Sequence, residues 1–377
     1  MPGPRPVCTK SDPVVKFGVL HRVIGSTDID GNGTHHSLVD VNPFILADYV
    51  CAKIDMKPPF CAHPHMGACI FSIPFEGFPL NPWDNVHGKE EQACYPGGVY
   101  FLNSGLGCVH DEPLNPFESR PPTSAQFDHS AISTEATCFR MMQLWFAPDL
   151  SGELPRTHSQ VVLPSEIPLI SDPVVINEEG ESIPQAGLAL RLLVGSYGGH
   201  TSPLDVQREN GIEILVLHGR LQPGKSCKIV VPAAFNCFVL HMSASVALYD
   251  GTEASCLGDL LLSPPAPAGC ELLHIQSKST ESAPLEFLVA AGMPNREPFH
   301  KLVGYGGGLI HNSLEAVRAG MEEYSRNPRN FGRERQRWKD DTEEEDEMSE
   351  LELIEGFQDP NDGLNPGVRA RFNKKAA

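Results

Sequence analysis

Short apolar runs, each broken within a few residues by Gly, Pro, Asn or Asp, dominate the chain between residues 14 and 299. Residues 98–103, 141–147, 189–195 and 212–218 are examples. Runs of this kind are typical of β-strands. The 34 Gly and 34 Pro residues provide turn formers between them. The sequence therefore predicts an all-β protein, and many short strands with turn signals favour barrels or sandwiches.

Helical periodicity is first seen at Asn312. Asn312 and Glu315 have the spacing of a capping box. The run that follows ends before Pro328, where a helix interior would lose a hydrogen bond. We therefore expect one amphipathic helix to close the folded part of the chain.

The segment 151–186 is rich in Pro, Ser and Glu and separates two β-rich blocks of similar size. Such segments commonly connect domains. We predict an N-terminal domain at residues 14–150, a linker at 151–186 and a C-terminal domain at 187–330 that includes the closing helix. Two similar β-rich blocks in tandem suggest a duplicated barrel.

Negative charge is concentrated near the C-terminus. The formal net charge is -19, and residues 340–362 carry twelve acidic residues and no basic one. Such a segment buries too little apolar surface to order itself, so we predict a disordered acidic tail at residues 333–377. An alternative is a short motif around residues 351–357 that folds on a protein partner. The acidic balance argues against direct nucleic-acid binding.

The sequence contains neither a stretch of about 20 apolar residues, as a membrane span requires, nor an evident N-terminal targeting segment. Its eleven cysteines have no regular spacing, so we expect most to be reduced and buried. We therefore expect a soluble monomer located in the cytoplasm, the nucleus or both.

Two short motifs carry candidate metal ligands. His63 and His65 are two residues apart, and on a strand both would point to the same face. His110 and Glu112 repeat this spacing. A single pair of histidines is more often a surface or core pair, but two such pairs in one β-rich block favour a metal site. The predicted ligands are His63, His65, His110 and Glu112.

The predicted ligand set has three imidazoles, one carboxylate and no thiolate. It suits iron, manganese, nickel or copper, whereas structural zinc sites more often use Cys. We expect one mononuclear iron, Fe(II) or Fe(III), with another divalent transition metal as the alternative. In the second block, His218, His241 and His274 lack paired spacing. We expect them to be packed or hydrogen-bonded and that barrel to be metal-free.

A family resemblance rests on several segments that occur in order across residues 40–338. They are VNPFILADYV, HPHMG, NSGLGCVHDE, MQLWF, LEFLVAAGMPNREP and NPRNFGRER. Together they resemble the pirin family of the cupin superfamily. The resemblance implies two tandem cupin barrels of the jelly-roll type. It also implies iron in the N-terminal barrel, bound by three histidines and one glutamate that fall on the four predicted ligands.

The resemblance implies two possible functions. One is a quercetin 2,3-dioxygenase-type oxygenase acting on flavonols or catechol-like substrates, with Glu112 as the candidate catalytic base. The alternative is a non-catalytic, metal- and redox-dependent regulatory partner of transcription factors or metabolic enzymes. One departure affects both hypotheses: the family usually has Arg after the second His of HPH, where this chain has Met66. We expect this change to remove a cation near the site.

Overall fold

The computed structural model describes a set of ranges of the chain. They are residues 5, 9–11, 15–17, 20–24, 41–53, 62–89, 92–113, 138–148, 153–176, 182–204, 206, 213–263, 265–268, 271–278, 283–295, 299–304 and 307–337. In these ranges, no helix is both long and apolar enough to cross a membrane.

The first barrel is formed by two sheets. Its large sheet contains β2 (Val15–Phe17), β3 (Leu20–Ile24), β4 (Phe44–Lys53), β6 (Cys69–Glu76), β9 (Val99–Asn103), β11 (Cys138–Phe146) and β12 (His158–Val162). Their order is β12-β9-β6-β11-β4-β3-β2. The second sheet, here called the ligand sheet, contains β5 (His63–Met66), β7 (Trp83–Asp84), β8 (Gly88–Lys89), β10 (Cys108–Asp111), β27 (His300–Gly304) and β28 (Gly307–His311), in the order β27-β28-β5-β10-β7-β8.

The second barrel has the same two-sheet construction. Its large sheet contains β1 (Thr9–Ser11), β13 (Leu169–Ser171), β16 (Leu188–Val194), β19 (Ile214–Leu221), β21 (Asn236–His241), β24 (Leu260–Ser263) and β26 (Leu285–Gly292). Its small sheet contains β20 (Ser226–Val230), β22 (Ala247–Tyr249), β23 (Thr252–Ala254) and β25 (Leu272–Ser277). Two hairpins accompany them, β14 (Val174–Ile176) with β15 (Ser182–Pro184) and β17 (Ser196–Tyr197) with β18 (His200–Thr201). The predicted all-β, two-barrel fold class is confirmed.

Two helices end the described part of the chain. They are α1 (Leu314–Arg326) and α2 (Arg333–Arg337), separated by a 3-10 turn at Pro328–Asn330. The sequence prediction of a capping box at Asn312 is wrong by one residue, because Ser313 is the N-cap and its hydroxyl accepts from the Ala316 amide. The predicted tail also began too early, since α2 is helical; residues 338–377 lie outside the described residues.

Three apolar cores follow from the alternation of side chains along the strands. One fills the first barrel and includes Trp145, and another fills the second barrel and includes Phe287. The third contains residues from the large sheets of both barrels, such as Phe44 and Phe238, whose rings meet edge to face at 5.2 Å between centroids. The two large sheets therefore pack against each other.

Each barrel includes strands from distant parts of the chain. The N-terminal β1 pairs with β24 of the second barrel, and β28 pairs in parallel with β5 of the ligand sheet. The segment containing β27, β28 and α1 falls in the predicted second domain, but its strands are hydrogen-bonded to the first barrel. Within the predicted linker, β12 pairs with β9 and β13 with β16. Strand pairing over such separations leaves no local signal in the sequence.

Candidate metal centre

Antiparallel pairing of β5 with β10 brings the two histidine motifs together. His110 is opposite His63, and Cys108 is opposite His65. Residues that face each other across an antiparallel pair point to the same side of the sheet, as do residues two apart on one strand. Strand pairing therefore directs His63, His65 and His110 into one space inside the first barrel.

The three imidazoles form a compact group. They offer ligand atoms that all lie within 4.8 Å of one another, and this is the candidate metal-binding group found among the described residues. His110 Nε2 lies 3.2 Å from His63 Nε2. Two nitrogens bound to one ion at about 2.1 Å, with about 100° between them, would be separated by about 3.2 Å. The spacing of the nitrogens fits one ion.

Burial keeps His65 and His110 neutral. His65 and His110 are fully buried, and His63 is 7% exposed. Burial, followed by repulsion from the neighbouring imidazoles, lowers the pKa of both His65 and His110 well below the usual range. For His65 the backbone of Gly308 opposes this shift only weakly. Neutral imidazole is the form that binds metals, so the group is ready to act as a ligand set.

Several polar atoms of the group have no hydrogen-bond partner. Both ring nitrogens of His65 and Nδ1 of His110 are buried without one. Burying polar nitrogens in this way is costly unless a partner is supplied. A transition metal ion bound to one ring nitrogen of His65 would supply one of these missing partners, so the residues present fit the metal that the sequence predicts.

Glu112 lies at the edge of the histidine group and not within it. Its Oε1 accepts from Ser72 Oγ at 2.6 Å, and its Oε2 accepts from Gln143 Nε2 at 3.0 Å. Oε1 is 3.8 Å from His110 Nδ1. Ser72 and Gln143 face each other on β6 and β11, so the pairing of these strands positions both donors. The structure thus brings three of the four predicted ligands into one group and places the fourth beside it.

The carboxylates at this end of β10 are shielded from water. Burial raises the pKa of Glu112 to about 7, although the hydrogen bonds from Ser72 and Gln143 oppose the shift. Burial likewise raises the pKa of Asp111 to about 6. Asp111, Glu112 and Gln143 are only half-buried as whole residues, so this is the end at which the barrel interior approaches the surface.

Aromatic side chains flank the histidines. The Trp145 ring meets His65 edge-on at 4.7 Å between centroids, and the Tyr100 ring lies nearly parallel to His110 at 6.4 Å. Gln143 and Trp145 lie in the MQLWF segment, for which the sequence predicted no functional role. The two residues are two positions apart on one strand, so they point to the same face, and this spacing could have placed both in the barrel interior.

Asp84 is opposite His110 on the neighbouring strand β7 but does not join the ligand group. Its Oδ1 accepts from the amides of Val86 and His87, and its Oδ2 accepts from Ser159 Oγ. The carboxylate therefore stabilises the turn between β7 and β8.

Met66 is covered by the C-terminal segment. Gly320 of α1 approaches so closely that an added Cβ would lie 3.0 Å from Met66 Sδ. The Arg335 guanidinium of α2 reaches the same sulfur, with Nη1 at 3.4 Å, and pairs with Glu323. A cation from a residue 269 positions away thus lies beside Met66, where it is paired with Glu323.

In the second barrel, the predicted non-ligand histidines have varied surroundings. His218 Nε2 bonds to Glu286 Oε1 at 2.9 Å, and His241 Nδ1 bonds to the Tyr249 hydroxyl at 2.9 Å. His274 is exposed and borders a groove of about 230 Å³ beside the β14–β15 hairpin. This groove contains none of the predicted ligands.

The architecture and the histidine group define the class as a two-barrel, all-β protein with a candidate mononuclear metal site in its first barrel. No protein-family model matches the sequence. A pirin-like protein of Arabidopsis thaliana is 23% identical over 304 residues, which span 79% of this chain and 83% of the relative. This similarity confirms the resemblance to pirins that the sequence motifs indicate.

Solved structures share the fold. Quercetin 2,3-dioxygenase from Acinetobacter baumannii superposes with a TM-score of 0.63 at 17% identity, covering 88% of this chain and 99% of the other. A protein structure from Geobacillus kaustophilus gives a TM-score of 0.55 at 19% identity, and the match covers 79% of this chain and 100% of the other. At these identities the similarity establishes the fold alone.

Proposed function

We propose that this protein binds one iron ion on His63, His65 and His110, with Glu112 as a fourth ligand, and acts as an oxygenase. The observation that carries the proposal is the buried group of three imidazoles, whose ligand nitrogens all lie within 4.8 Å of one another. Another divalent transition metal is compatible with the same donors.

The proposed substrates are flavonols or catechol-like molecules, and the similar fold of an enzyme named quercetin 2,3-dioxygenase supports this proposal. When bound, the metal would supply Lewis-acid and redox chemistry toward adjacent substrate oxygens and O2. The chain would supply the rest. Trp145 and Tyr100 pack beside the His65 and His110 rings and would hold them in place.

Glu112 is the proposed catalytic base. It is the one anionic member of the predicted set, and its Oε1 lies 3.8 Å from the His110 ring. A carboxylate in this position can accept the hydroxyl proton of a substrate that binds through that oxygen. The same oxygen faces the histidine group, so a substrate bound to the metal would lie next to Glu112.

Metal analysis followed by an aerobic assay with quercetin tests this proposal. The wild type is expected to contain one iron and to bleach quercetin, whereas His63→Ala should lose both properties. His274→Ala changes an exposed histidine of the second barrel and is the matched control. Bound iron without consumption of any flavonol or catechol would contradict the oxygenase, while leaving the metal site intact.

The second candidate is a metal-dependent regulatory partner, and one sequence feature favours it. The twelve acidic residues at 340–362 suit an interaction segment rather than a catalytic one. In this function the metal state would alter a protein-binding surface without turnover. Pull-down with metal-loaded and metal-free protein distinguishes it, because a regulator should capture its partner in only one of the two states.

A further inference from the structure

The two oxygens of Glu112 are held by donors of different kinds. Oε1 contacts the Ser72 hydroxyl, which rotates freely and can donate or accept. Oε2 contacts the Gln143 amide nitrogen, which can only donate. Ser72 can therefore adapt to a new neighbour at Oε1, whereas the bond from Gln143 persists only while Oε2 stays in place.

The two oxygens also differ in what they face. Oε1 is the oxygen near the histidine group, at 3.8 Å from His110 Nδ1. The backbone that carries Gln143 is fixed, because β11 is central in its sheet and pairs with β4 and β6 along its length. The amide thus holds Oε2 from a rigid support, on the side occupied by the large sheet.

We propose that Gln143 is a positioning residue that keeps Oε2 away from the metal, so that Glu112 binds the ion through Oε1 alone. A carboxylate that binds through one oxygen occupies one coordination position, and one that binds through both occupies two. Gln143 thereby keeps a position open for a substrate oxygen. The inference rests on the metal site proposed above and goes beyond it by assigning a role to a residue that touches neither metal nor substrate.

Cobalt(II) is the probe for this proposal, because its visible absorption reports coordination number. Gln143→Met retains the length of the side chain and removes the donor. It is expected to weaken Co²⁺ binding about 10- to 100-fold, as is typical for the loss of an outer hydrogen bond to a ligand. Its Co²⁺ spectrum should also shift. Gln160→Met, on β12, is the matched control and should bind as the wild type does.

Thermal unfolding of the metal-free proteins separates positioning from folding. A merely structural role would lower the unfolding temperature without changing the Co²⁺ spectrum of the protein that remains folded. Unchanged affinity and spectrum in Gln143→Met would overturn the proposal.

A crystal structure of the Co²⁺-loaded wild type provides a measurement that needs no variant. The expected result is one Glu112 oxygen on the ion and the other on Gln143. Two oxygens on the ion would contradict the positioning role but leave the proposed function standing. Absence of Co²⁺ binding by the wild type would instead contradict the metal site itself.

Discussion

Glu286 is the charged residue on which the seam between the barrels depends. Burial alone would raise its pKa, but the hydrogen bond from His218 and the guanidiniums of Arg140 and Arg220 outweigh burial and hold its pKa well below the usual range. Arg140 comes from the first barrel and bonds to Glu286 of the second at 2.9 Å. One carboxylate therefore neutralises cations from both barrels.

Replacing Glu286 by Gln should lower the free energy of unfolding by about 1.5–3 kcal/mol at pH 7, because it removes the buried carboxylate that bonds to Arg140 and His218, while Arg140 keeps its ion pair with Glu76. A depressed carboxylate pKa contributes stability above its ordinary value of 4.5, and that contribution is lost as pH falls. The difference between wild type and variant should therefore shrink below about pH 4.5. Urea unfolding at pH 7 and pH 4 measures it, and a difference independent of pH would contradict this account.

His218 also contributes to the pH dependence of stability, in a higher pH range than Glu286. Burial lowers its pKa below 6.5 more than the adjacent Glu286 raises it, so the folded state holds the ring neutral. Stability from a depressed histidine pKa is present above the unfolded value and is lost as pH falls below it. His218→Gln should flatten the stability curve of the wild type between about pH 6.5 and 5. Equal slopes for the two proteins in urea unfolding would count against a neutral buried ring.

At the scale of single elements, α1 provides a direct test of the corrected helix start. Ser313→Ala should cost about 1 kcal/mol, the usual value of a lost N-cap. Asn312→Ala, at the position predicted from the sequence, should cost much less because Ser313 makes the capping bond. Chemical denaturation of both variants measures the two losses in the free energy of unfolding. A larger loss for Asn312→Ala would instead favour Asn312 as the N-cap.

The segment between the two helices closes the first barrel near the start of β10. Phe331 is fully buried in the first core, and the Asn85 amide donates to its carbonyl at 3.0 Å. Phe331→Ala should lower the free energy of unfolding by about 3–5 kcal/mol. Leu314→Ala changes an exposed residue of α1 and should stay within about 0.5 kcal/mol of the wild type. Similar losses in both variants by urea unfolding would contradict a specific role for Phe331.

Local sequence patterns predicted the strands well and their partners poorly. The runs at residues 98–103 and 189–195 match β9 (Val99–Asn103) and β16 (Leu188–Val194). They could be predicted because alternation and turn residues are local signals. The two-residue spacing of the histidines was sufficient for the same reason. Ser72 and Gln143 could not be assigned to Glu112, since that contact depends on the register of β6 against β11. Register joins residues far apart in the chain.

At the scale of the whole molecule, the shared core and the exchanged terminal strands connect the barrels. Residues of both large sheets form one cluster, and β28 extends the ligand sheet from the far end of the chain. We therefore expect a single cooperative unfolding transition. Tryptophan fluorescence of a Trp338→Phe variant reports the first barrel, because the other two tryptophans, Trp83 and Trp145, lie there. Far-ultraviolet circular dichroism reports both barrels. Two separated midpoints would contradict this coupling.

The central claim is that His63, His65 and His110 hold one metal ion, and anaerobic titration of metal-free protein with Fe(II) tests it most directly. The wild type should bind one ion per chain, and His65→Ala should lose that binding, whereas His274→Ala should retain it. Bound metal should also stabilise the fold, by about 2.7 kcal/mol at a hundredfold excess over the dissociation constant. Undiminished one-to-one binding by His65→Ala, or no binding by the wild type, would contradict the assignment of this site.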